Sequence, residues 1–198
     1  MGYAISWLAV KDTGTELLLQ NLGLTPAGGM GRYGESLFTG RTLPSGWFIL
    51  VINQCEHTFV RPKALESLSD HGEVIACSIE EHVMWSTAEL WRNGAQVWRI
   101  EHDAQKNISH ISTSGLLPDG YSAIERKFAE QQKQSGGKTS GTDYIFEIPL
   151  QMARSIVGFK HDEAGPEDES FKVFKGGTSL PLTDPIADQR TKPWWKLW

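Results

Sequence analysis

Histidine is where chemistry would first be sought in this chain. Three of its six histidines directly follow a glutamate, as Glu56-His57, Glu81-His82 and Glu101-His102. Neighbouring residues of a regular strand point to opposite faces, so no such pair can bring both side chains to one metal or substrate, and a site would have to be assembled between strands. His82, His102 and His110, with Glu80 or Glu101, offer the nitrogen and oxygen donors that zinc takes. Glu80, His82 and His102 are the residues that a small metal-assisted hydrolase would use. No HExxH and no ordered Cys/His spacing accompanies them, so neither a metal nor a cofactor is expected. The histidines are read instead as strand-end or half-buried rings with hydrogen-bonded nitrogens.

Nucleophiles give less. Cys55 and Cys77 lie in apolar strand-like runs without CxxC spacing and are expected to be free, buried and inert. Cys55 and His57 could share a strand face, but Glu56 beside them works against an activated thiolate. No GxSxG elbow is present. Paired carboxylates such as Glu80 and Glu101 could do acid-base work only if burial separated their titrations.

Two glycine motifs lack the context they need. Gly29-x-Gly31-x-x-Gly34 spells the dinucleotide fingerprint, yet it follows an expected helix and leads into Glu-Ser-Leu-Phe-Thr-Gly rather than passing from strand to helix. Gly137-Lys138-Thr139 looks like the end of a phosphate loop, but Gln132 stands where the first glycine belongs.

The elements that must position these residues are legible in outline. Tyr3 to Val10, Trp47 to Ile52 and Val74 to Ile79 read as strands, the second apolar throughout as if buried on both faces. Thr13-x-x-Glu16 opens a short helix that Gly23 stops, Pro62 opens another, Asp119 or Ser122 caps one running to about Gln134, and Pro149 starts the last, which Gly158 ends. Thr25 to Ser45 is Gly- and Pro-rich and reads as a long loop or irregular hairpin. Ile108 to Ser112, Tyr144 to Ile148 and Phe171 to Phe174 are further expected strands. Asn93-Gly94 calls for a two-residue type I′ hairpin. Pairing Arg92 with Ala95 would set Trp91 opposite Gln96, Glu89 opposite Trp98, Thr87 opposite Ile100 and Trp85 opposite His102. Trp85, Trp91 and Trp98 would then share one face, and Glu89 among them would need a donor.

Composition bounds the rest. A chain of 198 residues with 39% hydrophobic residues can bury one core, and a net charge of −5 gives phosphate backbones and anionic lipid no global attraction. Neither nucleic acid nor membrane is expected as a partner. No apolar run reaches spanning length, and Lys11 and Asp12 interrupt the first one, so a cytoplasmic location is expected. The eight tryptophans are read mainly as core. Trp194, Trp195 and Trp198 differ: they close an acidic and then aromatic tail, residues 161–198, after a single domain at 1–160. They are the expected contacts to a protein partner or a second copy of the chain.

Glu80-Glu81-His82-Val83-Met84-Trp85-Ser86, Trp98-Arg99-Ile100-Glu101-His102-Asp103-Ala104-Gln105 and Ile148-Pro149-Leu150 resemble stretches of bacterial proteins to which no activity is assigned. The resemblance covers most of residues 1–160, implies a bacterial cytosolic protein and transfers no functional residue. The expected fold is α+β, a mainly antiparallel sheet of about six strands with three or four short helices packed on one face. The expected function is non-catalytic binding, of an accessory or immunity type, through a polar sheet face or the aromatic tail. The metal-assisted hydrolase of His82, His102 and a nearby Glu is the alternative.

Overall fold

The computed structural model describes residues 2–11, 14–70, 72–163 and 171–176. In chain order the elements are β1 (Ala4–Lys11), α1 (Thr15–Asn21), β2 (Leu24–Gly31), β3 (Phe38–Thr42), β4 (Trp47–Ile52), α2 (Pro62–Leu68), β5 (Glu73–Glu80), β6 (Trp85–Arg92), β7 (Ala95–Asp103), β8 (Ser112–Gly115), α3 (Tyr121–Gln134), α4 (Glu147–Val157) and β9 (Phe171–Gly176). Short 3-10 turns at Thr58–Val60 and Gly137–Thr139 precede α2 and α4. The strands form one antiparallel sheet in the order β2-β9-β3-β4-β1-β5-β6-β7-β8. The fold is therefore α+β, but the sheet has nine strands, not about six. The extra strands come mainly from the Gly- and Pro-rich stretch, which holds β2 and β3; the strand expected at Phe171 to Phe174 forms as β9 and inserts between them.

The expectation of helices on one face is also corrected. Ile5, Trp7 and Ala9 of β1 join Ile49, Val51, Cys77 and Trp98 under α3 and α4, while Leu8 and Val10 join Leu50, Ile52, Val74 and Trp91 under α1, α2 and Phe59. The central strands are thus covered on both sides, which is why all six residues of β4 are buried and apolar. A strand with core on both faces loses the alternation that a half-exposed one shows.

The hairpin at Asn93-Gly94 forms as expected, with φ of 52° and 72° at the two turn residues. Its register departs after two pairs. Arg92 meets Ala95 and Trp91 meets Gln96, but a bulge then brings Leu90 to Trp98, Glu89 to Arg99, Ala88 to Ile100 and Ser86 to His102. One extra residue on one strand exchanges the faces of everything beyond it. Trp98 accordingly lies under α3 and α4, and Trp91 lies on the other side, so the expected row of three indoles does not exist. Trp7, Trp47, Trp91 and Trp98 are buried as core, and Trp85 is half-buried.

Other boundaries shift for local reasons. Residues 144–146 turn into α4 rather than forming a strand, and β8 begins at Ser112, later than expected. Gly120 flanks α3, with neither Asp119 nor Ser122 capping it. Thr13, Trp194, Trp195 and Trp198 lie outside the described residues.

Candidate functional site

His102 is fully buried on the face under α3 and α4. Its Nδ1 lies 2.6 Å from the carbonyl oxygen of His110, and its Nε2 lies 2.8 Å from Asp143 Oδ2. A carbonyl only accepts, so Nδ1 donates. Asp143 Oδ1 accepts from the amides of Ile145, at 3.0 Å, and Phe146, at 3.1 Å, which makes the turn that starts α4. Ser86, opposite His102, donates to the Phe146 carbonyl at 2.8 Å. Both ring nitrogens and both carboxylate oxygens are spent on fastening α4 to β6 and β7.

Glu80 and His82 lie elsewhere. Glu80 continues the face of Val74, Ala76 and Ser78, opposite to that of Ile75, Cys77 and Ile79, and its Oε1 meets His82 Nδ1 at 2.6 Å. The sheet separates this pair from His102. His110 comes near His102, with ring centroids 6.4 Å apart. Burial, then the nearby Lys106 charge, lowers the pKa of His110. Among the described residues no three His, Cys, Asp or Glu side chains converge as a metal site would require. Burial, reinforced by Glu80 and Glu56, pushes the Cys55 thiol up to about 12. Burial and then Glu89 raise Cys77 as well. Neither is a nucleophile near neutrality.

A third histidine pairs with a glutamate. His161 Nε2 meets Glu81 Oε1 at 2.9 Å, the Tyr33 hydroxyl donates to the His161 carbonyl, and Lys160 Nζ meets Glu147 at 3.0 Å and Asp162 at 2.5 Å. Burial would lower the Lys160 ammonium, but the hydrogen bond to Asp162 and the charge of Glu147 outweigh it and raise its pKa. This cluster ties the segment after α4 to the start of β1 and the end of β5.

The bulge leaves one set of charged side chains on a sheet face. Glu89 Oε2 accepts Trp91 Nε1 at 2.7 Å and Gln96 Nε2 at 2.6 Å, and Glu89 Oε1 lies 3.6 Å from Arg99. Arg99 meets Glu101 at 2.6 Å, and Lys106 meets Glu101 at 2.9 Å and Asp103 at 3.5 Å. The result is an alternating ladder from the buried Glu89, 5% exposed in its side chain, to Lys106, 56% exposed. Burial alone would raise the Glu101 carboxyl, but the hydrogen bonds and charges of Arg99 and Lys106 prevail and hold it below the usual range. The ladder runs on to β8, whose four residues are all exposed.

β8 ends the sheet. Its Ser112 and Ser114 face Glu101 and Arg99, and the Leu116 amide donates to the Val97 carbonyl at 2.8 Å. Amides alternate in direction along a strand, so those of residues 112 and 114 point at β7 and those of Thr113 and Gly115 point outward. A side chain at Gly115 would meet the Val97 carbonyl oxygen at 2.0 Å, and φ there is +76°. β2, at the opposite edge, contains Pro26 and a bulge between Pro26 and Met30. Both features discourage strand addition, and β8 has neither.

Glu89 is the one member of the ladder whose need for a donor the sequence exposed. Arg99 went unnoticed as its ion-pair partner because the bulge that sets it opposite Glu89 leaves no mark in the residue order. No helix among the described residues is long and apolar enough to cross a membrane. The chain matches no protein-family model, no curated protein and no solved structure.

Proposed function

We propose that the chain is a non-catalytic binding protein, of an accessory or immunity type, that receives an extended segment of a protein partner along β8. The observation that carries this reading is an edge strand with outward-facing backbone groups and no proline, bulge or charge in it, flanked by a charge ladder. Main-chain hydrogen bonds at such an edge supply affinity, and the side chains alongside supply selection. Arg99 and Glu101, reached across the small Ser114 and Ser112, would favour a partner strand carrying an acid and a base at alternate positions. The hydrolase alternative gains no support, because it requires His82 and His102 to meet across the sheet. The aromatic Trp194, Trp195 and Trp198 are kept as a second contact to the partner.

The test compares captured proteins for three forms of the full-length bait. Thr113→Pro deletes one outward amide and leaves the β7–β8 ladder its own donors, so its thermal melt should match the wild type while the partner is lost. Arg99→Glu should weaken capture of the same protein. If removal of residues 193–198 abolishes capture and Thr113→Pro does not, the edge is not the contact.

A further inference from the structure

Between α3, the turn after it, the start of α4 and the loop from β7 to β8 lies a cavity of about 250 Å³. Its apolar lining comes from Ile111, Ala129, Ile145 and Ile148, and Lys133 and Lys138 also border it. Lys133 belongs to the last turn of α3 and Lys138 to the 3-10 turn that follows. Among the described residues neither ammonium has a hydrogen-bond or carboxylate partner. Arg99, Lys106, Arg154 and Lys160, by contrast, are each paired with a carboxylate.

The walls are fastened. Gln132, 3% exposed, donates from Nε2 to the Gly137 carbonyl at 2.8 Å and accepts the Tyr144 amide on Oε1 at 2.7 Å. One buried amide side chain therefore holds the Lys138 turn and the approach to α4 against α3. Ser135 and Ser140 hydroxyls meet at 2.8 Å across the same turn. The Asp143 turn fixes Ile145 from behind. A pocket whose shape does not depend on its ligand loses little ordering entropy on binding.

Charge along the cavity is uneven. Glu125 also borders it, but it stands eight residues before Lys133 on α3, about 12 Å along the axis. Its Oε1 accepts the Tyr121 hydroxyl at 2.9 Å. One end is thus cationic, the middle apolar and the other end acidic. We propose that this cavity is a binding site for a small monoanionic amphiphile, a medium-chain carboxylate, with its head at Lys133 and Lys138 and its chain over Ile111, Ile145 and Ile148. Taking the ~30 Å³ share of a water molecule as the unit, the space holds about eight non-hydrogen atoms, most of a medium-chain carboxylate. A dianion, such as a phosphate monoester, would bring its second charge toward apolar lining. Gly137-Lys138-Thr139, which has no phosphate-loop context, supplies part of this rim instead. The inference is independent of the partner strand proposed for β8.

The probe is octanoate, titrated into the full-length protein by calorimetry and by amide chemical-shift mapping, with octan-1-ol as the neutral counterpart. Octanoate should saturate one site, with shifts centred on residues 109–111, 129–138 and 145–148. The Lys133→Ala/Lys138→Ala double variant should bind octanoate about tenfold more weakly, as two partly exposed ion pairs allow, and should bind octan-1-ol as the wild type does. Ala129→Phe, at an exposed helix position bordering the cavity, should block both ligands without unfolding the chain. Absence of saturable octanoate binding would overturn the proposal. So would equal affinity for octanoate and octan-1-ol, or full octanoate affinity in the double-lysine variant.

Discussion

Replacing Asp143 by alanine removes a group that serves three donors at once: the His102 ring and the amides of Ile145 and Phe146. A hydrogen bond to a charged group is worth about 1.5–3 kcal/mol, and an orphaned buried donor costs about 1–3 kcal/mol. His102 is fully buried, so water cannot replace its lost partner. The three effects overlap, which puts the loss at about 4–6 kcal/mol, at the upper end of the ~3–5 kcal/mol for removing one partner of a buried pair. A chain of 198 residues shifts its midpoint by about 2–4 °C per kcal/mol, so Tm should fall by roughly 10–20 °C. Asp143→Asn keeps an acceptor for the two amides and should lose less than half as much. Thermal melts by circular dichroism measure both. A cycle of Asp143→Ala with His102→Leu should return a coupling energy of at least about 2 kcal/mol. A midpoint within about 4 °C of wild type for Asp143→Ala, or additive single effects, would refute the assignment of His102 as a structural clamp.

Glu101 titrates below its ordinary value, so its contribution is complete above about pH 4.5 and is lost as pH falls through the lower folded value. Glu101→Gln should cost about 1 kcal/mol at pH 7 and flatten the fall of Tm between neutrality and that acid range; an unchanged acid limb would count against the ladder. With its thiol at about 12, Cys55 should react with a disulfide reagent at pH 8 about a thousandfold more slowly in the folded protein than in denaturant. Equal rates would show that its burial is misjudged. Trp91→Phe keeps an aromatic ring, though a smaller one, and removes one donor to the buried Glu89 carboxylate, so it should cost at least about 1.5–3 kcal/mol, read by urea denaturation.

The central sheet was legible because burial on both faces writes itself as runs such as Trp47 to Ile52, and Asn93-Gly94 announced its turn. What remained hidden depends on geometry that single residues do not encode. The bulge after Trp91 adds one residue and reverses the faces of Trp98, Ile100 and His102, turning an expected row of indoles into two separate cores. β2 escaped notice because its eight residues have one buried side chain, Leu24, and no apolar alternation. Asp143 looked like any loop acid, since the ring it holds lies 41 positions earlier. His102 has both ring nitrogens hydrogen-bonded, whereas Nδ1 of His110 and of His161 is buried without a hydrogen-bond partner among the described residues, and His161, silent in the sequence, is as deeply buried as His102.

The place of β9 sets an order of events during synthesis. β2 touches no sheet neighbour except β9, which arrives about 145 residues later. The ribosome must therefore release the chain as far as Gly176 before an early segment finds its berth. Until then Leu24 and its surroundings wait beside a half-built sheet, a window that a chaperone or a truncation at residue 160 would each prolong.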